Sequence, residues 1–315
     1  MSGALHHFGQ LPDDVRARLF HRPPQPFDRD TPRATLAYAL GATLYVPATR
    51  ADLAATVRRR RDDGVLSMVI DLEDAVAAKD KEQARADTVE WLSTGHRAWV
   101  RINDAASEYW SADCAALKQC AGLEGVMLAK SEGSSHLDDT ADRLPDGTPI
   151  LALVETARGM QNVARIASAP STFRIAFGTG DFKRDTAVGE DPIALAYARS
   201  QLVIASRAAR LPAPIDGPTL NIAHLPTGTA LAKEMGMSGK LCLTPEHAGV
   251  INSGLSPSES EVAWAHGFID AFEKSGGKIT DGSDLPRLAR AQKIVQQAVD
   301  FGIEVEAAEV SHSGY

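Results

Sequence analysis

Two carboxylates occupy equivalent places in this chain. Glu155 directly follows the apolar run Ile150-Leu151-Ala152-Leu153-Val154, and Asp181 follows Phe173 to Phe177 after the short link Gly178-Thr179-Gly180. A carboxylate just past the C-terminal end of a buried parallel strand lies where a closed strand–helix barrel keeps its chemistry. Two of them on consecutive strands offer hard oxygen ligands to one divalent cation. Mg2+ suits that set, because it keeps several waters and rarely takes a complete protein cage. A softer metal would need His or Cys, and neither residue type stands at these strand ends. Such a centre stabilises negative charge on an enolate oxygen beside a breaking or forming carbon–carbon bond. Asp181 also has a plainer reading, as the cap of the turn before Phe182-Lys183.

Other strand ends carry ionisable groups too. Arg101, in Val100-Arg101-Ile102-Asn103, has the fork geometry to grip a substrate carboxylate, or it pairs with Glu73 or Asp74. Both readings can hold together. Glu73 and Asp74, in Asp71-Leu72-Glu73-Asp74, are candidates to orient a metal-bound water that serves as base. Lys130 is either a carbonyl nucleophile or a neutraliser of charge, and the carboxylates near it favour the second. Arg158 and Gly159 stand near the start of a predicted helix, where amides and a guanidinium could hold an anionic part of the substrate. Arg158 could equally be solvated. Asp216 extends the series. Any one of these groups can be an ordinary ion-paired strand end, but burying so many is costly unless they pair, bind metal or face a wet pocket. The nine histidines show no HExxH or paired ligand spacing, and His6, His7 and His247 are expected at the surface. The run Arg58 to Arg61, flanked by Asp62 and Asp63, reads as a solvated helix face.

These residues need a scaffold that brings strand ends together. Strands are expected at Thr43-Leu44-Tyr45-Val46, 66–70, 98–102, 125–128, 150–154, 173–177, Ala213-Pro214-Ile215 and 240–243. Helices are expected at 51–61, 81–92, 111–119, 160–167, 192–209, 226–235 and 245–252. Short non-alternating apolar strands separated by helices mean a parallel sheet covered on both faces. Eight units in about 210 residues predict a TIM (β/α)8 barrel of the α/β class. The rival is an open doubly wound sheet, which would carry a glycine fingerprint after its first strand. Here Pro47-Ala48-Thr49-Arg50 stands in that place. The barrel domain is assigned to 41–255. Residues 1–40 form an N-terminal extension in which Pro23-Pro24-Gln25-Pro26 forbids a continuous helix. Residues 256–315 hold two surplus helices, Glu261 to Lys274 and Leu285 to Phe301, separated by Ser275-Gly276-Gly277. They are expected to act as a lid or an oligomer contact.

Composition narrows the function classes. With 315 residues and 44% hydrophobic content, the chain can bury a large core. A net charge of −8 argues against a broad nucleic-acid footprint. Its three cysteines include no CxxC pair, so neither a disulfide framework nor structural zinc is expected, and a reduced cytoplasmic setting fits. The first residues contain no apolar signal-peptide core, and no apolar run approaches membrane-spanning length, so no membrane partner is expected.

Taken in order, the motifs resemble those of the HpcH/HpaI aldolase and citrate lyase β-subunit superfamily. They are Leu44-Tyr45-Val46-Pro47, Ile70-Asp71-Leu72-Glu73-Asp74-Ala75-Val76 with Lys81 and Ala84-Arg85, Val100-Arg101-Ile102-Asn103, Ala129-Lys130-Ser131-Glu132, Glu155-Thr156-Ala157-Arg158-Gly159, Phe177-Gly178-Thr179-Gly180-Asp181, and Gly239-Lys240 with Pro245. They span about residues 43 to 265. The proline-rich start and the Gly-Thr-Gly-Asp-Phe variant look most like the branch called C–C bond lyases of the TIM-barrel fold, associated with tellurite-resistance gene clusters. The resemblance implies a TIM barrel, Mg2+ on Glu155 and Asp181, and a substrate carboxylate on Arg101. It also implies cleavage or formation of a carbon–carbon bond beside a carbonyl, and trimers or hexamers whose C-terminal segment reaches a neighbour's active site. The chain departs from the pattern at Ala42-Thr43, Pro47-Ala48 and Leu243-Thr244-Pro245. The first two fall where acyl-CoA-using relatives hold the cofactor end of their substrate, and they weigh against a CoA thioester. The expected activity is a Mg2+-dependent lyase or aldolase acting on a small 2-oxo or 3-hydroxy carboxylic acid. The alternatives are an acyl-CoA lyase or thioesterase of the citramalyl/malyl type, and a non-catalytic metabolite-binding barrel.

Overall fold

The computed structural model describes residues 42–48, 67–189, 191–301 and 303. The N-terminal extension and the helix expected over 51–61 lie outside the described residues. Eight parallel strands close into a barrel in chain order: β1 (Ala42–Pro47), β2 (Ser67–Asp71), β3 (Ala98–Ile102), β4 (Leu123–Leu128), β5 (Ile150–Val154), β6 (Thr172–Phe177), β7 (Ile215–Asp216) and β8 (Gly239–Cys242). Pairing of β1 with β8, at Ala42 with Lys240 through Leu44 with Cys242, closes the ring.

The strands read as continuous apolar runs because both faces are covered. Every residue of β5 and β6 is buried. One set, including Val69, Trp99, Met127, Leu151, Leu153 and Leu241, fills the barrel interior. The alternate set, including Ile70, Val100, Val126, Ala152 and Ile175, packs against the helices. Successive strand side chains point to opposite faces. The inward series therefore runs Val69 to Asp71, Trp99 to Arg101, and Leu151 and Leu153 to Glu155. The polar residues reach the pocket because they continue the apolar interior. Gly125 makes room in that interior: a Cβ there would lie 2.3 Å from the Trp99 ring.

Most expected helices are present with shifted ends. The helix expected over 160–167 is instead two short ones, Ala157–Gln161 and Val163–Ser168, broken at Asn162. The Asn162 amide donates to the Glu132 carbonyl at 2.9 Å and holds the break in place. The helix expected over 192–209 opens as a 3-10 turn, Pro192–Leu195, capped by Asp191, before the α-helix Ala196–Ala208. The seventh strand starts later than expected, at Ile215, because Pro214 has no amide to give the ladder. Two helices of eight residues each, Ser134–Ala141 and Thr179–Thr186, were not expected; each is too short and polar to show a periodic apolar face.

After the barrel, Glu259–Lys274 and Asp284–Asp300 form a helical pair with its own small core of Val262, Ala265, Ala291, Ile294 and Ala298. Ser258 and Glu261 form a capping box at its start. Lys233 ties the pair to the barrel, donating to the Ser256 carbonyl at 2.8 Å and lying 3.6 Å from Glu261. Among the described residues, no helix is long and apolar enough to cross a membrane.

Candidate active site

The site is built at the C-terminal ends of β2 to β6. Asp71 and Arg101 are direct neighbours in the β2–β3 register. Arg101 therefore meets Asp71 through one fork of its guanidinium, Nε to Oδ1 at 2.7 Å and Nη2 to Oδ2 at 2.5 Å. Its Nη1 lies 3.0 Å from Glu73 Oε2. Glu73 is buried, and its Oε1 accepts from Lys130 Nζ. Its Oε2 also accepts the Asp74 amide at 2.9 Å. Two cations and two carboxylates thus form one alternating chain, Asp71–Arg101–Glu73–Lys130.

Lys130 has φ 43, a left-handed conformation uncommon for a residue with a side chain. It does two jobs at this turn. The amide donates to Glu155 Oε1 at 2.9 Å, while the side chain reaches Glu73. Burial pulls the Lys130 ammonium pKa down. The hydrogen bond and charge of Glu73, with the charges of Asp74 and Glu155, outweigh that pull and hold it above the ordinary lysine value. Paired with Glu73 in this way, Lys130 is placed to neutralise charge, which favours that reading over the nucleophile one.

Glu155 is 2% exposed. Burial pushes its carboxyl up to about 8, and the charges of Glu73 and Asp181 add to that push against Arg101 and the Lys130 amide. Gly178 is required beside it, since a Cβ would stand 2.3 Å from Glu155 Oε2. Asp181 lies in the first turn of Thr179–Thr186, partly buried, with Arg184 Nη2 at 3.1 Å.

The structure bears on several expectations. Glu73 and Asp74 differ in setting: Glu73 is locked inside by Arg101 and Lys130, whereas the Asp74 side chain is 50% exposed at the rim. The amides near Gly159 are engaged within the chain: Gly159 N–H donates to Thr156 Oγ1 at 3.0 Å and Ala157 N–H to Asp185 Oδ2 at 2.7 Å. Arg158 stands apart at the surface, 77% exposed, with Glu132 3.8 Å away. Asp216 follows the inward Ile215 and so turns outward, where Arg199 Nε at 2.9 Å and Lys240 Nζ at 2.7 Å hold it between barrel and helix. Burial raises the Asp216 pKa, but the charges of Lys240 and Arg199 more than offset this and leave it below the ordinary value. His247, expected at the surface, is buried at the start of His247–Leu255. Cys114, Cys120 and Cys242 are free and buried, as core residues should be.

Sequence reasoning gave no role to a second polar layer behind Glu73. Lys81, Asn103, Asp113 and Arg85 are linked there by hydrogen bonds of 2.7–2.8 Å. The available signal was the i, i+4 spacing of Lys81 and Arg85 on one helix, with Asn103 two residues beyond Arg101.

Among the described residues, no group of three or more His, Cys, Asp or Glu side chains could hold a metal ion. The two-carboxylate set of Glu155 and Asp181 fits an ion that takes its remaining ligands from water and substrate. Its poor accommodation of negative charge, visible in the raised Glu155 pKa, is what a cation would relieve.

Known proteins agree with this architecture. Residues 42–245 match the HpcH/HpaI aldolase/citrate lyase family, and residues 260–302 match the HpcH/HpaI aldolase C-terminal domain. A (3S)-malyl-CoA thioesterase of Cereibacter sphaeroides is 29% identical over 267 residues, covering 80% of this chain and 91% of its own. A citrate lyase subunit beta-like protein of Deinococcus radiodurans is 30% identical over 282 residues, covering 81% and 96%. The crystal structure of the protein CitE of Mycobacterium tuberculosis, in complex with magnesium, acetoacetate and coenzyme A, superposes with a TM-score of 0.68 at 26% identity, covering 82% of this chain and 97% of that one. By its barrel, its matched sequence and its relatives, the chain belongs to the HpcH/HpaI aldolase/citrate lyase family and is a carbon–carbon lyase of that family.

Proposed function

We propose that the protein cleaves or forms a carbon–carbon bond beside a carbonyl in a small 2-oxo or 3-hydroxy carboxylic acid. Mg2+ would be held by Glu155 and Asp181. The observation that carries this reading is the buried Glu155 carboxyl, aimed by the Lys130 amide and raised to about 8 by burial and by the charges of Glu73 and Asp181. A divalent cation beside Glu155 and Asp181 would favour its ionised form. A bound Mg2+ supplies Lewis-acid stabilisation of the charge that develops on the substrate carbonyl oxygen.

The chain's own residues do the rest. Arg101, pre-set by Asp71 and Glu73 and 11% exposed, binds a substrate carboxylate in the fork geometry that lysine lacks. Lys130 Nζ, shared with Glu73 Oε1, holds a proton at the pocket wall, with Asp74 at the outer edge. The Lys130 amide aims Glu155. The Mycobacterium tuberculosis neighbour, with magnesium and acetoacetate bound, supports the metal and substrate class. We also infer assembly through the C-terminal helical pair, which leaves Trp264 and Val299 exposed, and a cytoplasmic location.

A second reading is supported by the coenzyme A in that neighbour and by the malyl-CoA thioesterase among the relatives. In it, the acid is presented as a CoA thioester. Turnover assays separate the two. Oxaloacetate, citramalate and malate are compared with citramalyl-CoA and malyl-CoA, each with Mg2+ and with chelator. The expected result is release of a 2-oxo-acid fragment from a free acid, lost with chelator and restored by Mg2+. Turnover confined to the thioesters would replace the first reading by the second.

A further inference from the structure

We infer that Lys81 is a positioning residue for the Arg101–Glu73 side of the pocket. The inference rests on the reading of Arg101 as the carboxylate anchor. Lys81 opens the helix Lys81–Ser93 and turns its side chain inward, nine-tenths buried. Its ammonium donates three hydrogen bonds: to the Leu72 carbonyl at 2.8 Å, the Glu73 carbonyl at 2.8 Å and Asn103 Oδ1 at 2.7 Å. Two of these acceptors are backbone atoms of the loop after β2, and the third follows β3.

An ammonium has three donors, and here each meets an acceptor. All three acceptors are uncharged, so the cation is not placed for a direct ion pair. Burial outweighs the nearby carboxylates and leaves the Lys81 pKa below the ordinary lysine value, a measure of what this placement costs. The groups around it are themselves cross-linked by hydrogen bonds. Asn103 also donates to Asp113 Oδ2 at 2.7 Å and to the Leu72 carbonyl at 3.1 Å, and Arg85 holds the other Asp113 oxygen at 2.8 Å. Lys81 therefore pins the backbone that carries the Glu73 carboxylate. Glu73 in turn is the shared partner of Arg101 and Lys130. On the far side of the pocket, Glu155 is fixed by the Lys130 amide and the close approach of Gly178, without Lys81.

That asymmetry separates positioning from simple structural support. The test uses Lys81→Met in the full chain, with amide hydrogen exchange in the metal-free protein and calorimetry with Mg2+ and pyruvate. Exchange over residues 71–76 is expected to accelerate by about tenfold, the loss of one buried hydrogen bond's worth of protection, while residues 155–160 stay unchanged. The Mg2+ Kd should stay within about threefold, and pyruvate binding in saturating Mg2+ should weaken by about tenfold, because only the anchor side moves. Unchanged exchange over 71–76, or equal acceleration of both segments, overturns the inference. Should Lys81→Met fail to fold, Asn103→Ala removes one acceptor and keeps the ammonium. It is expected to give the same one-sided pattern at about threefold, and a uniform pattern counts against the inference. If the wild type binds neither Mg2+ nor pyruvate, the reading of Arg101 fails, while the exchange pattern still decides whether Lys81 anchors the loop.

Discussion

Glu155→Gln is expected to make the metal-free protein more stable at pH 8 and to abolish its stabilisation by Mg2+. The Glu155 pKa, raised by burial to about 8, lies above that of an unfolded glutamate. The folded state then binds the proton more tightly than the unfolded chain. The contribution of this protonated carboxyl is full below about pH 4.3 and is lost as pH rises through the folded value near 8. Ionisation of the buried group across that window costs the metal-free protein roughly 3–5 kcal/mol. Glutamine keeps the shape and the acceptor for the Lys130 amide and never ionises. Thermal melts of both proteins between pH 5 and 9, with and without Mg2+, check this. Parallel pH profiles, or a Mg2+ shift that survives in the variant, would contradict it. Mg2+-dependent turnover of Glu155→Gln should fall at least about a hundredfold, since a Lewis acid supplies several kcal/mol of charge stabilisation.

Arg101→Leu should be among the most damaging single changes in the barrel. Asp71 is buried, and both its oxygens bond Arg101 at 2.5–2.7 Å, while the same guanidinium reaches Glu73. Removing one member of such a buried pair leaves an uncompensated charge, at about 3–5 kcal/mol. The double change Asp71→Leu with Arg101→Leu should recover part of the loss, because no lone charge then remains on that strand pair. Arg101→Lys separates binding from folding. It keeps the charge and most of the stability but loses the fork, so binding of the acid should weaken by about tenfold or more. Urea unfolding of the three variants and calorimetric titration of Arg101→Lys give the readings. An Arg101→Leu protein within about 0.5 kcal/mol of wild type would show that the pair is not structural.

Much of this architecture is written in short-range patterns. The strands show because both faces of a covered parallel sheet must be apolar, so Ile150 to Val154 reads unambiguously. The inward direction of Arg101 and Glu155 follows from alternation with Trp99 and Leu153. The same alternation, applied to Ile215, would have turned Asp216 away from the pocket. It was missed because a two-residue strand shows no pattern of its own. The engagement of the Gly159 amide depends on Thr156 acting as a cap, which the order Thr-Ala-Arg-Gly does signal. The cover of Ala157 by Asp185 joins residues 28 positions apart, which sequence cannot give. The buried His247 and the Lys81 cage likewise arise only when distant elements meet. Polar residues in this chain are legible where strand geometry dictates their direction and opaque where loops do.

The central claim is that Glu155 and Asp181 hold one Mg2+ that a 2-oxo acid needs for binding. Isothermal titration of the full chain with pyruvate, with and without Mg2+, alongside Asp181→Ala, tests it most directly. The account predicts that pyruvate binds the wild type only when Mg2+ is present, and that Asp181→Ala binds neither while keeping its fold. Pyruvate binding that ignores Mg2+, or that survives in Asp181→Ala, would contradict it.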